Sequence, residues 1–146
     1  MKRIIGLDLG TRTCGIAISD TLGIAHGYEN FRFLDGAYKQ CLSHIMEVLK
    51  KEDVHEIALG YPLNMNGTVG ERAESCARFK EELLALDPTL KIELVDERMT
   101  TMIATKRLLE ADLSRAKRHA VIDQQSAVVI LESYLEAKEN NHGRVL

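Results

Sequence analysis

Three acidic residues interrupt apolar patterns in which an isolated charge is costly. Asp8 lies near the end of one apolar run, and Glu97 directly follows another. Asp123 begins a stripe that Ala127 and Ile130 continue at helical spacing. A carboxylate in such a position is stable only when it is paired, hydrogen-bonded or bound to a metal ion. These three side chains are therefore candidates for a site whose chemistry uses carboxylate oxygens.

Each acid also has a purely structural interpretation. Asp8 could accept hydrogen bonds from the backbone of the turn that follows it. Glu97 could lie in a surface turn and pair with Arg98. Asp123 could be the N-cap of a helix that begins at the next residue. Because strand side chains alternate, one member of the Asp96–Glu97 pair must point inward and the other outward.

The elements that position these acids are indicated by the apolar periodicity. The predicted strands cover residues 2–9, 14–19, 24–33, 56–60 and 91–96, and the predicted helices cover residues 37–51, 71–86, 100–112 and 120–138. A meander followed by strand–helix alternation predicts an α/β fold. We expect a five-stranded mixed sheet, an antiparallel meander joined by parallel strands, with helices on both faces.

This arrangement brings two of the acids together if the strand 56–60 lies between the strands 2–9 and 91–96. The backbones of Asp8 and Glu97 would then be ~9–10 Å apart, at two strand spacings. Gly60 would leave the space between them free of any side chain. Such a pocket suits one or two Mg²⁺ ions, or Mn²⁺, which prefer hard oxygen ligands. The sequence leaves open whether Asp20 or Asp96 also contributes.

Length and composition limit the remaining possibilities. The 146 residues fit one domain, which we place at residues 1–138, followed by a polar, frayed tail at residues 139–146. No apolar run approaches the ~18–20 residues of a membrane span, and no signal peptide is evident, which predicts a cytoplasmic protein. The spacing of Cys14, Cys41 and Cys76 fits neither a zinc site nor a disulfide framework, so we expect core residues.

The charge distribution is uneven along the chain. The net charge of −3 argues against a protein that coats nucleic acid indiscriminately. Residues 98–119 nevertheless hold six basic residues and two acidic ones, a local charge of +4. Such a segment can hold a phosphate backbone, and it is equally compatible with a solvated helix face.

The sequence resembles the YqgF (RuvX) family of bacterial ribonuclease-H-like proteins. The matching stretches are GLDLGT at 6–11, GIAISD at 15–20, LGYPLNMNG at 59–67, DERMTT at 96–101 and SRAKR at 114–118, followed by the positions around Asp123. They occur in this order and span nearly the whole chain. DLGT alone is a weak motif, whereas DERMTT after GYPLNMNG at this spacing is specific.

The resemblance implies a ribonuclease-H-like fold and a hydrolase that cleaves phosphodiester bonds with a divalent metal. It implies a role in trimming the 5′ end of precursor 16S ribosomal RNA, with pre-ribosomal particles as partners, whereas some members resemble Holliday-junction resolvases. The acidic cluster of the family corresponds to Asp8, Glu97 and Asp123, as catalytic residues and as ligands of Mg²⁺ or Mn²⁺.

Further residues near these acids are expected to bind the nucleic acid. A basic side chain and the start of the helix 100–112 could hold a phosphate oxygen, and three other basic residues could follow the flanking backbone. These residues are Arg12, Arg98, Thr100, Thr101, Lys117 and Arg118.

Two other functions compete with nuclease activity. The DLGT motif also resembles the first phosphate motif of actin-like ATPases and sugar kinases, but those enzymes close two domains around ATP. A nucleic-acid-binding factor that does not cut is the second alternative, and the presence of all three acids argues against it. The sequence does not distinguish RNA from DNA, endonuclease from exonuclease, or a monomer from the homodimer expected of a resolvase.

Overall fold

The computed structural model describes residues 2–97 and the helix 115–143, with the side chains of residues 125–139 in that helix. The strands are β1 (Ile5–Leu9), β2 (Thr13–Ser19), β3 (Ala25–Arg32), β4 (Glu56–Tyr61) and β5 (Lys91–Asp96). The helices are α1 (Tyr38–Glu52), α2 (Glu71–Leu86) and α3 (Arg115–Gly143).

The five strands form one mixed sheet in the order β3-β2-β1-β4-β5. β1 pairs with β2 and β2 with β3 in antiparallel fashion, whereas β1 and β4, and β4 and β5, are parallel. The predicted mixed sheet is therefore confirmed. β4 lies between β1 and β5, as the convergence of Asp8 and Glu97 requires.

The alternation of side chains along β1 divides the core into two layers. Ile5, Leu7 and Leu9 belong to the layer that also contains the apolar side of α1 and α2. Ile4 belongs to the other layer, which α3 covers with Ala127, Ile130 and Leu131 among others. Asp8 is four residues after Ile4, so its side chain lies on the same face of the sheet, the face that α3 covers.

Two contacts fix the position of α3 on the sheet. One is a close approach to Gly6 on β1, and the other is a hydrogen bond to Glu56 at the start of β4. A Cβ atom on Gly6 would lie 2.8 Å from Cβ of Leu131 and 2.9 Å from the carbonyl oxygen of Ala127. The Tyr134 hydroxyl donates to the Glu56 carboxylate at the start of β4, at 2.5 Å. Since Ile130 lies against Gly60 near the end of β4, α3 runs antiparallel to β4.

Several predicted boundaries need correction. α3 begins at Arg115 and not at residue 120, and it ends at Gly143, so residues 139–143 are helical rather than a frayed tail. No proline or other glycine occurs between these ends, so nothing in the sequence interrupts the helix. The predicted helix 100–112 lies outside the described residues.

The prediction for the cysteines holds. The three free cysteines are buried, in agreement with their prediction as core residues. No helix in the described part of the chain is long and apolar enough to cross a membrane.

Candidate active site

Asp8 occupies the central position of the candidate site, near the carboxyl end of β1. Its direct partner on β2 is Gly15, and the pairing of Leu7 with Leu59 places it level with Gly60 on β4. The following turn is closed by a backbone bond from Gly10 N–H to the Thr13 carbonyl, at 2.7 Å. Asp8 instead hydrogen-bonds to Glu97, so its carboxylate belongs to the site rather than to the turn.

Glu97 follows β5 and turns inward over β4. Only 6% of the residue is exposed, whereas Asp96 is exposed. A Cβ atom on Gly60 would lie 2.6 Å from Cδ of Glu97, so the carboxyl group occupies the space that a side chain would fill. The prediction that one acid points inward is confirmed, and the glycine on the intervening strand makes room for it.

The two carboxyl groups strongly influence each other. Burial, the charge of Asp8 and the hydrogen bond to Asp8 together raise the pKa of Glu97 to about 9. Without a cation, the pair therefore holds a proton at neutral pH, because two adjacent carboxylates cannot both ionise cheaply. A divalent cation would remove this repulsion, so the donor set fits a hard metal ion.

Arg72 lies beside the pair, and sequence reasoning missed it. Its guanidinium donates to the carbonyl oxygen of Leu9 at 3.0 Å, and its charge opposes the rise in the pKa of Glu97. The residue lies in the first turn of α2, where the helix dipole disfavours a cation. A basic residue at this unfavourable position was the available signal in the sequence.

Cys76, on the same helix, is also close to the acids. Burial and the negative charge of Glu97 raise the pKa of its thiol to about 12. It therefore remains a neutral core thiol and offers no thiolate for catalysis.

Asp123 lies within α3, so the hypothesis that it is an N-cap is wrong: the helix begins at Arg115. It lies one turn before Ala127, whose carbonyl oxygen lies near Gly6. Because α3 runs antiparallel to β4, that turn is on the side toward the carboxyl ends of the strands. The side chain of Asp123 is outside the described residues, and the described part contains no cluster of three metal-binding side chains.

The remaining candidates divide into three groups. Arg12 is exposed in the turn after β1, with its guanidinium 3.8 Å from Asp35. Lys117 and Arg118 lie in the first turn of α3 rather than in a connection, and their side chains are not described. Arg98, Thr100 and Thr101 lie outside the described residues.

Asp20 lies in the β2–β3 turn and does not contribute to the candidate site. Its carboxylate accepts hydrogen bonds from the N–H groups of Leu22 and Ile24 and contacts His26 at 2.8 Å. The turn lies at the opposite end of β2 from Gly15 and Asp8. Asp20 therefore stabilises a turn remote from the candidate site.

The acid pair predicts a pH-dependent stability in the absence of divalent cations. Because the pKa of Glu97 is about 9 when folded and 4.5 as its ordinary value, the folded state binds more protons between these values. The stabilisation is complete below pH 4.5 and is lost by about pH 9. Thermal unfolding in EDTA from pH 5 to 9 should therefore show a larger loss for wild-type protein than for Glu97→Gln. Equal losses would contradict the raised pKa.

Comparison with known proteins matches most of the chain to related sequences. A family model described as "RuvX: Holliday junction resolvase" matches residues 2–137. A protein of Geobacillus sp. (strain WCH70), named "Putative pre-16S rRNA nuclease", is 46% identical over 138 residues, which cover 94% of this chain and 99% of that protein. A protein of the same name from Staphylococcus carnosus (strain TM300) is 43% identical over 136 residues, which cover 92% and 96%.

Two solved structures share the fold. T. thermophilus RuvC in complex with a Holliday junction substrate matches with a TM-score of 0.60 and 15% identity, over 95% of this chain and 96% of that one. The yeast mitochondrial Holliday junction resolvase Ydc2 matches with a TM-score of 0.52 and 11% identity, over 99% and 85%. The predicted ribonuclease-H-like fold is thereby confirmed.

Proposed function

The chain belongs to the RuvX family, and from this premise we propose that it is a metal-dependent nuclease that processes the 5′ end of precursor 16S ribosomal RNA in the cytoplasm. The observation that carries the proposal is the contact between Asp8 and Glu97. Two acids far apart in sequence meet over Gly60, in a buried position that only a proton or a cation makes favourable. The names of the relatives from Geobacillus and Staphylococcus carnosus support the RNA substrate.

Asp8 and Glu97 would hold Mg²⁺ or Mn²⁺, with Asp123 of α3 as the third ligand. A cation held there would supply Lewis-acid chemistry, lowering the pKa of water and stabilising charge on the phosphate. The protein contributes the fixed position of the two carboxylates, because Glu97 is held between Gly60 and the α3 layer. Burial of Glu97 keeps bulk water away and strengthens its attraction for a cation.

Arg72 would bind the phosphate next to the scissile bond. One of its N–H groups is used by the Leu9 carbonyl, which fixes the guanidinium at the end of β1. Its other donors match phosphate oxygens in charge and geometry. Arg12, Lys117 and Arg118 would hold the flanking backbone, and Arg98 with the segment at Thr100 and Thr101 would complete the substrate contacts.

Resolution of four-way DNA junctions is the second candidate. The description of the family and the shared fold with a junction-bound RuvC favour it. A resolvase would act as a symmetric homodimer on a symmetric junction. A factor that binds nucleic acid without cutting it would use the same basic residues and dispense with the acids.

A cleavage panel separates these functions. We expect the protein to cut an RNA carrying the 5′ leader of 16S ribosomal RNA in Mg²⁺ or Mn²⁺ and to lose this activity in EDTA. Symmetric nicking of a four-way DNA junction, with the leader RNA left intact, would favour the resolvase. A gel shift without cleavage in either metal would contradict both nuclease functions.

A further inference from the structure

One buried oxygen on β3 is left without a hydrogen bond. The side-chain Oδ1 of Asn30 is inaccessible to solvent and has no partner, and no other side-chain atom in the described part of the chain shares this condition. An unsatisfied buried acceptor costs about 1–3 kcal/mol. Such an atom in a folded protein calls for an explanation, of which a bound ion or its water is a common one.

The sheet register places Asn30 in line with the acid pair. Asn30 is the direct partner of Gly15 on β2, and Gly15 is the direct partner of Asp8 on β1. Directly opposed residues lie on the same face of a sheet, so Asn30 and Asp8 share the α3 face. Because Gly15 has no side chain, no side chain of the sheet stands between them.

A β-bulge produces this alignment. The register between β2 and β3 shifts between Ile16 and Ala17, so that Ile16 pairs with Glu29 and Ala17 with Gly27. If the register of the Ala17–Gly27 pair continued without a bulge, Glu29 would lie opposite Gly15. A third negative charge would then lie beside Asp8 and Glu97. With the bulge, the neutral amide of Asn30 lies opposite Gly15 instead.

We propose that Asn30 is a further binding residue of the cation site, whose amide oxygen accepts a hydrogen bond from water in the hydration shell of a divalent cation. The inference rests on the proposed function, in which Asp8 and Glu97 hold that cation. Two strand spacings separate the backbones of Asn30 and Asp8 by ~9–10 Å, a span that an ion on the β2 side of the Asp8 carboxylate and one of its waters can bridge. Mg²⁺ retains several waters when only a few carboxylates bind it.

The test measures metal binding without nucleic acid. Asn30→Leu has nearly the same shape and removes the orphaned acceptor, so the fold should be retained and the melting temperature should stay the same or rise. The dissociation constant for Mn²⁺, measured by calorimetry or by electron paramagnetic resonance, should rise about 10-fold, as for loss of other groups that hydrogen-bond around a metal.

The matched control is Glu29→Gln on the adjacent residue. The Glu29 carboxylate contacts the His44 ring at 2.5 Å on the α1 side of the sheet, so this change should leave Mn²⁺ affinity within about twofold. A second variant, Asn30→Asp, keeps the shape and adds a charge, and it should bind Mn²⁺ more tightly than wild type.

The outcomes are distinguishable. If wild-type protein binds Mn²⁺ and both Asn30 variants bind it equally well, the inference is wrong while the proposed function stands. A loss of RNA affinity at unchanged Mn²⁺ affinity would likewise overturn it. If wild-type protein neither binds Mn²⁺ nor cuts nucleic acid, the proposed function fails and the inference with it.

Discussion

Replacing Glu97 by glutamine should lower the rate of nucleic-acid cleavage about 10²–10³-fold, because the cation that stabilises transition-state charge would lose a ligand. Glutamine keeps the size and burial of the side chain but removes the charge that attracts the cation. The same loss is expected for Asp8→Asn, because the two acids form one unit. Initial rates on the leader RNA at saturating Mg²⁺ would measure both effects.

The adjacent residue offers a matched control. Asp96→Asn also removes one negative charge, but Asp96 is exposed and lies on the other side of the strand from Glu97. Its cleavage rate should remain within about twofold of wild type. Equal losses in the two variants would mean that the net charge of the segment, and not the inward-facing acid, supports cleavage.

Replacing Gly6 by alanine should produce the largest loss of stability, a decrease of about 3 kcal/mol in the free energy of unfolding. The new Cβ would lie 2.9 Å from the carbonyl oxygen of Ala127, which belongs to the helix backbone and cannot rotate away. α3 would have to move off the sheet as a unit. Urea unfolding followed by circular dichroism would give the change directly.

Gly36→Ala separates steric overlap from backbone strain. A Cβ at Gly36 meets no atom within 4 Å, but the residue has a φ of +73°. Its replacement should therefore cost only the strain of a left-handed alanine, about 1–2 kcal/mol. A Gly6→Ala protein that is as stable as Gly36→Ala would show that α3 does not depend on the close approach.

The amphipathic elements could be predicted closely from the sequence. α2 and β5 have the predicted bounds, because an apolar stripe or alternation runs through each and Asp87-Pro88 ends α2. The first turns of α3 were assigned wrongly to a connection. Residues 115–119 carry mainly charge and no apolar stripe, so only intrinsic helix propensity indicates a helix there.

The site could be predicted as far as strand order determines it. The proximity of Asp8 and Glu97 was predicted because both lie at the ends of apolar strands and Gly60 falls between them. The alignment of Asn30 with Asp8 could not be predicted, since it depends on the bulge at Ile16, and a shift of one residue exchanges the faces of a strand. The position of Arg72 in the first turn of α2 was a signal in the sequence, but its contact with Leu9 depends on where α2 packs, which no local pattern encodes.

The covering of the α3 face has a consequence for biosynthesis. α3 follows all five strands in the sequence, so a polypeptide still emerging from the ribosome can pair the strands while this face remains open to water. Ile4, Ala17 and Ala58 would be uncovered in such an intermediate, and so would the sheet face that carries Asp8. Closure of this face would then wait for α3, which is made after all five strands.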